Sequence, residues 1–165
     1  MSKRKLQESF YARHADVVAW QLLGRDLVVR MPSGRELHAR LTEVAAYEGD
    51  AKTMSEGALH QPGIVTISTK YNQKLIDIST GKAKVPACVT LRGAVIEWSK
   101  GKSEKVIGPG NLAKKLAIVR ETELSYNGQE IYGNKIWIEG EGVEMGEINR
   151  REGNAPNCLG IYYLR

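Results

Sequence analysis

The apolar positions of the chain fall mainly into short runs that alternate with polar ones, broken by clusters of Gly, Pro, Asn and Asp. That rhythm predicts strands joined by turns. The early exception is residues 8–24. There Val17, Val18, Trp20, Leu22 and Leu23 form a stripe nearer helical than strand period, with Ser9 as a candidate N-cap and Gly24 as a natural stop. Residues 26–30 read as a strand, Met31-Pro32-Ser33-Gly34 as a turn, and residues 37–47 as a second strand closing a hairpin. Residues 48–63 are weakly periodic and predict a surface loop with one helical turn. Strands follow at 64–69 and 75–79, with the polar turn Lys70-Tyr71-Asn72-Gln73-Lys74 presenting Tyr71 near the hairpin tip. After a loop at 81–84, residues 87–98 form a long strand, and residues 99–105 a polar, basic loop.

Gly108-Pro109-Gly110-Asn111 then leads into a helical run over 112–118. A Gly-rich turn opening a helix exposes backbone N–H groups and the positive end of the helix dipole, the arrangement of a phosphate site, and Lys114 and Lys115 add charge. Asn127-Gly128 is the clearest hairpin turn. Residues 131–138 and 159–164 are further strands, separated by an acidic, Gly-rich stretch and the Arg150-Arg151 pair.

Within the second strand, residues two apart share a face. Glu43, Ala45 and Tyr47 therefore stand together: a carboxylate, a gap of methyl size and an aromatic ring. That set describes either an ordinary strand with a satisfied glutamate or one wall of a base-sized pocket. Arg92 lies inside the apolar strand Val89 to Val95, where a charge needs a partner or a ligand. Glu43 is the obvious protein partner, so a structural Glu43–Arg92 pair is one reading of both residues.

Length suggests one domain spanning residues 1–165. The excess of 24 Lys+Arg over 19 Asp+Glu gives a net charge of +5, which favours a polyanionic partner. Cys88 and Cys158 match no zinc spacing, and no Walker motif is present, so neither metal nor nucleotide cofactor is expected. Two isolated cysteines fit a reduced intracellular compartment. No apolar run approaches a membrane span, and the basic Met1 to Lys5 stretch is not followed by a signal-peptide core.

Five motifs, taken in order, resemble the alkyladenine (3-methyladenine) DNA glycosylase family. They are Phe10-Tyr11 through the Leu22 to Val29 stretch, Thr42 to Gly49, Pro62-Gly63 followed by Tyr71, Ala87 to Arg92, and Gly108-Pro109-Gly110-Asn111-Leu112 through Ile118. The last is the strongest match. The resemblance implies an α+β single domain: a curved, mostly antiparallel β-sheet with flanking helices and a DNA-intercalating β-hairpin. It implies a monomeric base-excision repair enzyme that binds double-stranded DNA and flips a damaged purine into a pocket. A water polarised by a glutamate then cuts the N-glycosidic bond. By the same resemblance Tyr71 would be the intercalating wedge, flanked by Lys70 and Lys74 on the DNA. Gly108, Gly110, Asn111 and Lys114 would meet phosphates. Tyr47 would stack on the extruded base, Arg92 would hold the water or the sugar phosphate, and Asp77 falls near the position of an asparagine that tests the purine edge.

The departures are as informative. Where the family carries its catalytic glutamate, two residues before the tyrosine, this chain has Ala45. Three explanations stand: an enzyme disabled by alteration at position 45, a natural branch that binds DNA without cutting, or relocation of the base to Glu43. That relocation spans one two-residue step of roughly 6.5 Å, long for a group that must work within hydrogen-bond reach. Met54 lies nearest the place of an expected pocket histidine, with His60 the only histidine nearby, and Thr66 and Ser68 replace expected aromatic residues. Fewer rings weaken stacking. A non-catalytic damage-sensing protein, and an RNA-binding module resembling a formyltransferase C-terminal barrel, are the alternative functions.

Overall fold

The strand-period runs of the sequence extend as strands. The computed structural model describes residues 3–50, 54, 56–70, 72–81, 85–116 and 126–165. Its strands are β1 (Asp26–Arg30), β2 (Glu36–Glu48), β3 (Val65–Lys70), β4 (Gln73–Ser79), β5 (Ala87–Ser99), β6 (Lys102–Ile107), β7 (Ile136–Glu139), β8 (Ile148–Arg151) and β9 (Cys158–Leu164). Its α-helices are α1 (Glu8–Tyr11), α2 (Ala15–Leu22) and α3 (Pro109–Lys115). Among the described residues the strands make one nine-stranded sheet, ordered β3-β4-β5-β2-β1-β7, with β6 on β5 and the β8–β9 pair on β2. The pairings between these strands are antiparallel. This is the expected single-domain α+β arrangement, a curled sheet with few helices.

The curl follows from how the two longest strands share partners. The first half of β2 pairs with β1 and its second half with β9. The first half of β5 pairs with β4 and its second half with β6. Where each strand changes partner, the β2–β5 register steps past Thr42 on one strand and Arg92 on the other. Such bulges bend a strand and sharpen its twist. They also reverse which residues face the core. On β2, Leu37, Ala39 and Leu41 are core residues before the bulge, and Val44 and Ala46 after it. On β5, Val89 and Leu91 precede the reversal, and Ala94 and Ile96 follow it. Without it, Tyr47 would lie on the same side as Leu41. Gly93 sits at this crossing because the space is taken: a Cβ there would lie 3.0 Å from Thr42 Oγ1 and 3.3 Å from the Val106 carbonyl oxygen.

The core-facing side of β2, β4 and β5 carries Val44, Ala46, Ile76, Ile78, Val89 and Leu91, all buried. Val18, Ala19 and Leu22 of α2, and Leu112, Ala113 and Leu116 of α3, join the same cluster. Side chains of the opposite parity, including Tyr47, Asp77, Cys88 and Thr90, project to the other face.

Several local expectations are corrected. Residues 8–24 form two helices, not one. The Tyr11 carbonyl accepts from the Gly81 N–H at 3.0 Å, and the extended backbone of His14 (ψ 138) precedes α2. Ser9 therefore lies inside α1, after an N-cap at Gln7. The basic loop of 99–105 is mostly β6, and residues 148–151 are β8. Both lie away from the densest packing, and on β6 only Val106 joins the core, so neither has an apolar rhythm. Of residues 131–138, only the last three are strand, because Tyr132 bridges back to Trp137. The Asn127-Gly128 turn docks on β3: Gly128 N–H donates to the Val65 carbonyl at 2.7 Å, and Val65 N–H to the Gln129 carbonyl at 2.8 Å. The predicted loop residues 82–84, and 117–118 of the predicted helix, lie outside the described residues.

Candidate active site

Strand register brings the polar residues together. Ile161 on β9, Ala45 on β2, Thr90 on β5, Asp77 on β4 and Thr66 on β3 are successive cross-strand partners in a single row. Partners in such a row share a face. Asp77 is only 3% exposed, and a carboxylate so buried needs hydrogen bonds in place of water. Thr90 Oγ1 donates to Asp77 Oδ1 at 2.6 Å, and Ser68 Oγ donates to Oδ2 at 2.8 Å. The next hydroxyl in the row, Thr66 Oγ1, is buried without a protein hydrogen-bond partner.

A cleft of about 480 Å³ opens over this row. Asp77, Thr90 and Cys88 line it from the sheet, with Tyr47 and Arg92 beside them. Ser68, Thr69, Lys70, Gln73 and Leu75 come from the β3–β4 hairpin, Pro109 from α3, and Met54 and the Ala155-Pro156-Asn157 segment from loops. The volume falls within the usual range of small-ligand sites. Burial pushes the Tyr47 phenol above its ordinary range, so the ring meets the cleft as a neutral hydroxyl.

Glu43 stands outside the lining and is occupied by two cations. Its Oε2 accepts from Arg92 Nε at 2.9 Å and its Oε1 from Arg151 Nη1 at 2.9 Å. Burial raises its carboxyl, but the hydrogen bonds from Arg151 and Arg92 outweigh that and hold it below the usual carboxylate range. The Glu43–Arg92 pair expected from the sequence is therefore present. Its second arm, Arg151 stacked 5.1 Å from the Tyr163 ring, was visible in the sequence only as half of a basic pair.

Of the residues singled out from the sequence, Tyr47, Met54, Ser68, Lys70, Asp77 and Arg92 converge on the cleft. Ala45 is fully buried and is not part of its lining. Lys74, Gly108, Gly110, Asn111 and Lys114 lie outside the lining. Asn111 Nδ2 donates to the Ile107 carbonyl at 3.1 Å, and Gly110 packs so closely on Gln73 that a Cβ would meet its Oε1 at 2.6 Å. Lys114 is exposed in the last turn of α3. His60 is exposed. Tyr71 lies outside the described residues, while its neighbour Asn72 takes the left-handed φ of 61 at the hairpin tip. Sequence reasoning missed Thr90, Gln73 and the 155–157 segment. The signal for Thr90 was its place two residues before Arg92 on the strand facing Asp77.

Away from the cleft, Asp26, His38 and Glu139 bring potential ligand atoms within 4.8 Å of one another on β1, β2 and β7. Lys3 forms an ion pair with Asp26 there, and Trp137 Nε1 donates to Glu139 at 2.7 Å.

The family model described as methylpurine-DNA glycosylase matches residues 9–154, a span that includes all of β1–β7 and most of the cleft residues. Three similar relatives share the curated name "Putative 3-methyladenine DNA glycosylase". The one from Anaeromyxobacter dehalogenans strain 2CP-C is 32% identical over 146 residues, 82% of this chain and 68% of its own length. The one from Anaeromyxobacter sp. strain Fw109-5 is 33% identical over 146 residues, 82% of this chain and 72% of its own. The one from Aeropyrum pernix is 30% identical over 155 residues, 86% of this chain and 77% of its own. With the matched span covering the strands that build the cleft, the chain belongs to the methylpurine-DNA glycosylase family.

Proposed function

We propose that the chain, acting as one monomeric domain, binds duplex DNA, extrudes a damaged purine into the cleft and hydrolyses its N-glycosidic bond. The observation that carries this reading is the convergence of Tyr47, Asp77 and Arg92, from three different strands, on one cleft beside the β3–β4 hairpin. Tyr47 supplies the face on which a flat base stacks, and Arg92, steadied by Glu43, supplies a cation at the cleft wall. Tyr71, which the sequence places between β3 and β4, is the wedge that fills the gap left by the extruded base. Lys70, Lys74, Lys114 and the Gly108 to Asn111 turn contact the backbone, in keeping with the net charge of +5. Met54 and Ser68 close the pocket around the base. The compartment is that of the genome, nucleoid or nucleus.

A second reading rests on one residue. Ala45 offers no proton chemistry where the family resemblance places a glutamate, which favours a non-catalytic binder of damaged DNA with the same fold. An excision assay on duplexes containing hypoxanthine or alkylated purines, run with the natural chain and with Ala45→Glu, separates the two. Base release by either chain supports the glycosylase. Damage-selective binding with release by neither supports the sensor. Salt-insensitive duplex binding, or none, sinks both.

A further inference from the structure

We infer that Thr90 and Asp77 form a proton-accepting pair that takes over the task of the carboxylate missing at position 45. This rests on the glycosylase reading and deepens it. Asp77 is the one carboxylate among the described residues lining the cleft. Glu43, the other candidate, gives both oxygens to guanidinium groups and does not line the cleft. The titratable and charged groups that line it with Asp77, among the described residues, are Lys70 on β3, Cys88 and Arg92 on β5, and Tyr47 on β2.

The hydrogen-bond directions give the pair its chemistry. Asp77 as a carboxylate only accepts, so the 2.6 Å contact fixes the Thr90 proton on the Asp77 side. A hydroxyl whose single proton is committed in this way meets any further partner as an acceptor. Thr90 lines the cleft, so a water there donates to Thr90 Oγ1. The short O–H···O⁻ bond belongs to the stronger, charge-assisted class. Register adds the position: Thr90 is the direct cross-strand neighbour of Ala45, which places the basic oxygen on the line where residue 45 stands. Ser68 holds the second Asp77 oxygen at 2.8 Å and keeps the carboxylate oriented.

In the step itself, the water oxygen bonds to the sugar C1′ as the C1′–N bond breaks. The electron pair of that bond leaves with the purine. One water proton passes to Thr90 Oγ1 while the Thr90 proton passes to Asp77 Oδ1. The products are a C1′ hydroxyl, the released purine and a protonated Asp77 that returns its proton to solvent; a cationic alkylpurine leaves as the neutral base, whereas hypoxanthine leaves as an anion that takes up a proton from solvent.

The test is single-turnover excision from an alkylpurine- or hypoxanthine-containing duplex across pH. It compares the natural chain, Asp77→Asn, Thr90→Val, Thr90→Ser and Glu43→Gln. Binding to a duplex bearing an abasic-site analogue, and thermal unfolding, are measured alongside. The natural chain is expected to release base, with a rate that falls on the acid side as a carboxylate protonates. Asp77→Asn and Thr90→Val should each lose at least about 100-fold in rate while keeping duplex binding within about threefold. Asp77→Asn should also lose the acid limb, and Thr90→Ser should restore release. Should Asp77→Asn fail to fold, the Thr90→Val and Thr90→Ser pair decides. Release by Asp77→Asn or Thr90→Val within about threefold of the natural rate, or loss of release in Glu43→Gln alone, overturns the pair. A natural chain that binds duplex but releases no base also overturns it and leaves DNA binding standing. A chain that binds no duplex overturns the functional reading as well, and the pair with it.

Discussion

Glu43 and Arg92 meet across the paired bulges of β2 and β5, Oε2 to Nε at 2.9 Å, so the residue that β5 leaves out of register is the one held by β2. The bulge turns Arg92 toward the cleft wall, and the carboxylate fixes it there.

That pair, with Arg151, makes stability depend on acid. The Glu43 carboxyl is held below its ordinary value near 4.5 when folded. Its contribution is therefore complete above that value and is lost as pH falls through the lower, folded one. Glu43→Gln should lower unfolding free energy by about 1–3 kcal/mol at neutral pH. The gap between variant and natural chain should narrow on acidification below the ordinary carboxylate range. Denaturant unfolding at several pH values checks both, and a gap that widens in acid counts against the assignment.

Gly63 allows no side chain. Its φ is +86, and a Cβ would lie 2.9 Å from Cε1 of the Tyr132 ring. Its N–H also donates to the Ser79 carbonyl at 2.8 Å, and its carbonyl accepts from Ile131. The backbone is pinned on both sides. Gly63→Ala should destabilise by about 1–3 kcal/mol, measured as a lower denaturation midpoint with an unchanged slope.

Neighbours on β5 should divide their effects by face. Leu91 is fully buried in the core, so Leu91→Ala should cost about 2–5 kcal/mol. Val95→Ala, beyond the reversal and outside the core cluster, should cost under about 1 kcal/mol. Parallel unfolding curves test the reversal at Arg92, since an unbroken alternation would put positions 91 and 95 on the same face and give both a core-sized cost.

Tyr71→Ala should weaken duplex binding without lowering the unfolding midpoint. The salt dependence of the remaining affinity should keep its slope, because the slope counts phosphate contacts and not wedge contacts. A slope that flattens in the variant would assign Tyr71 to the backbone.

The strand order of the hairpins and the glutamate-arginine pair were legible in the sequence, because alternation and an isolated charge each have one economical reading. The reversal at Thr42 and Arg92 was not read, although both strands carry it. The apolar residues run Leu37, Ala39, Leu41 and then Val44, Ala46 on β2, and they shift parity again on β5. A single strand cannot say whether such a shift is a bulge or an exposed residue; the pairing of two shifted strands can. Thr90 escaped for a similar reason. Nothing within β5 marks it, and only its register with Asp77 and Ala45 makes it part of a site. The exposed strands β6 and β8 lacked a rhythm because little of either is buried.

The docking of the Asn127 to Ile131 segment on β3 reaches beyond this molecule. Among the described residues β3 ends the sheet, and an open terminal strand invites pairing with another chain. Here the Val65 N–H and carbonyl are taken by Gln129 and Gly128, the Ile67 N–H by the Asn127 side chain at 2.9 Å, and Ile64 bridges to Glu130. The strip is occupied by backbone that cannot extend into a further strand, because Gly133 and the Tyr132–Trp137 bridge turn it away. The chain thus carries its own guard against edge-to-edge aggregation, built from a turn whose sequence advertised only a hairpin.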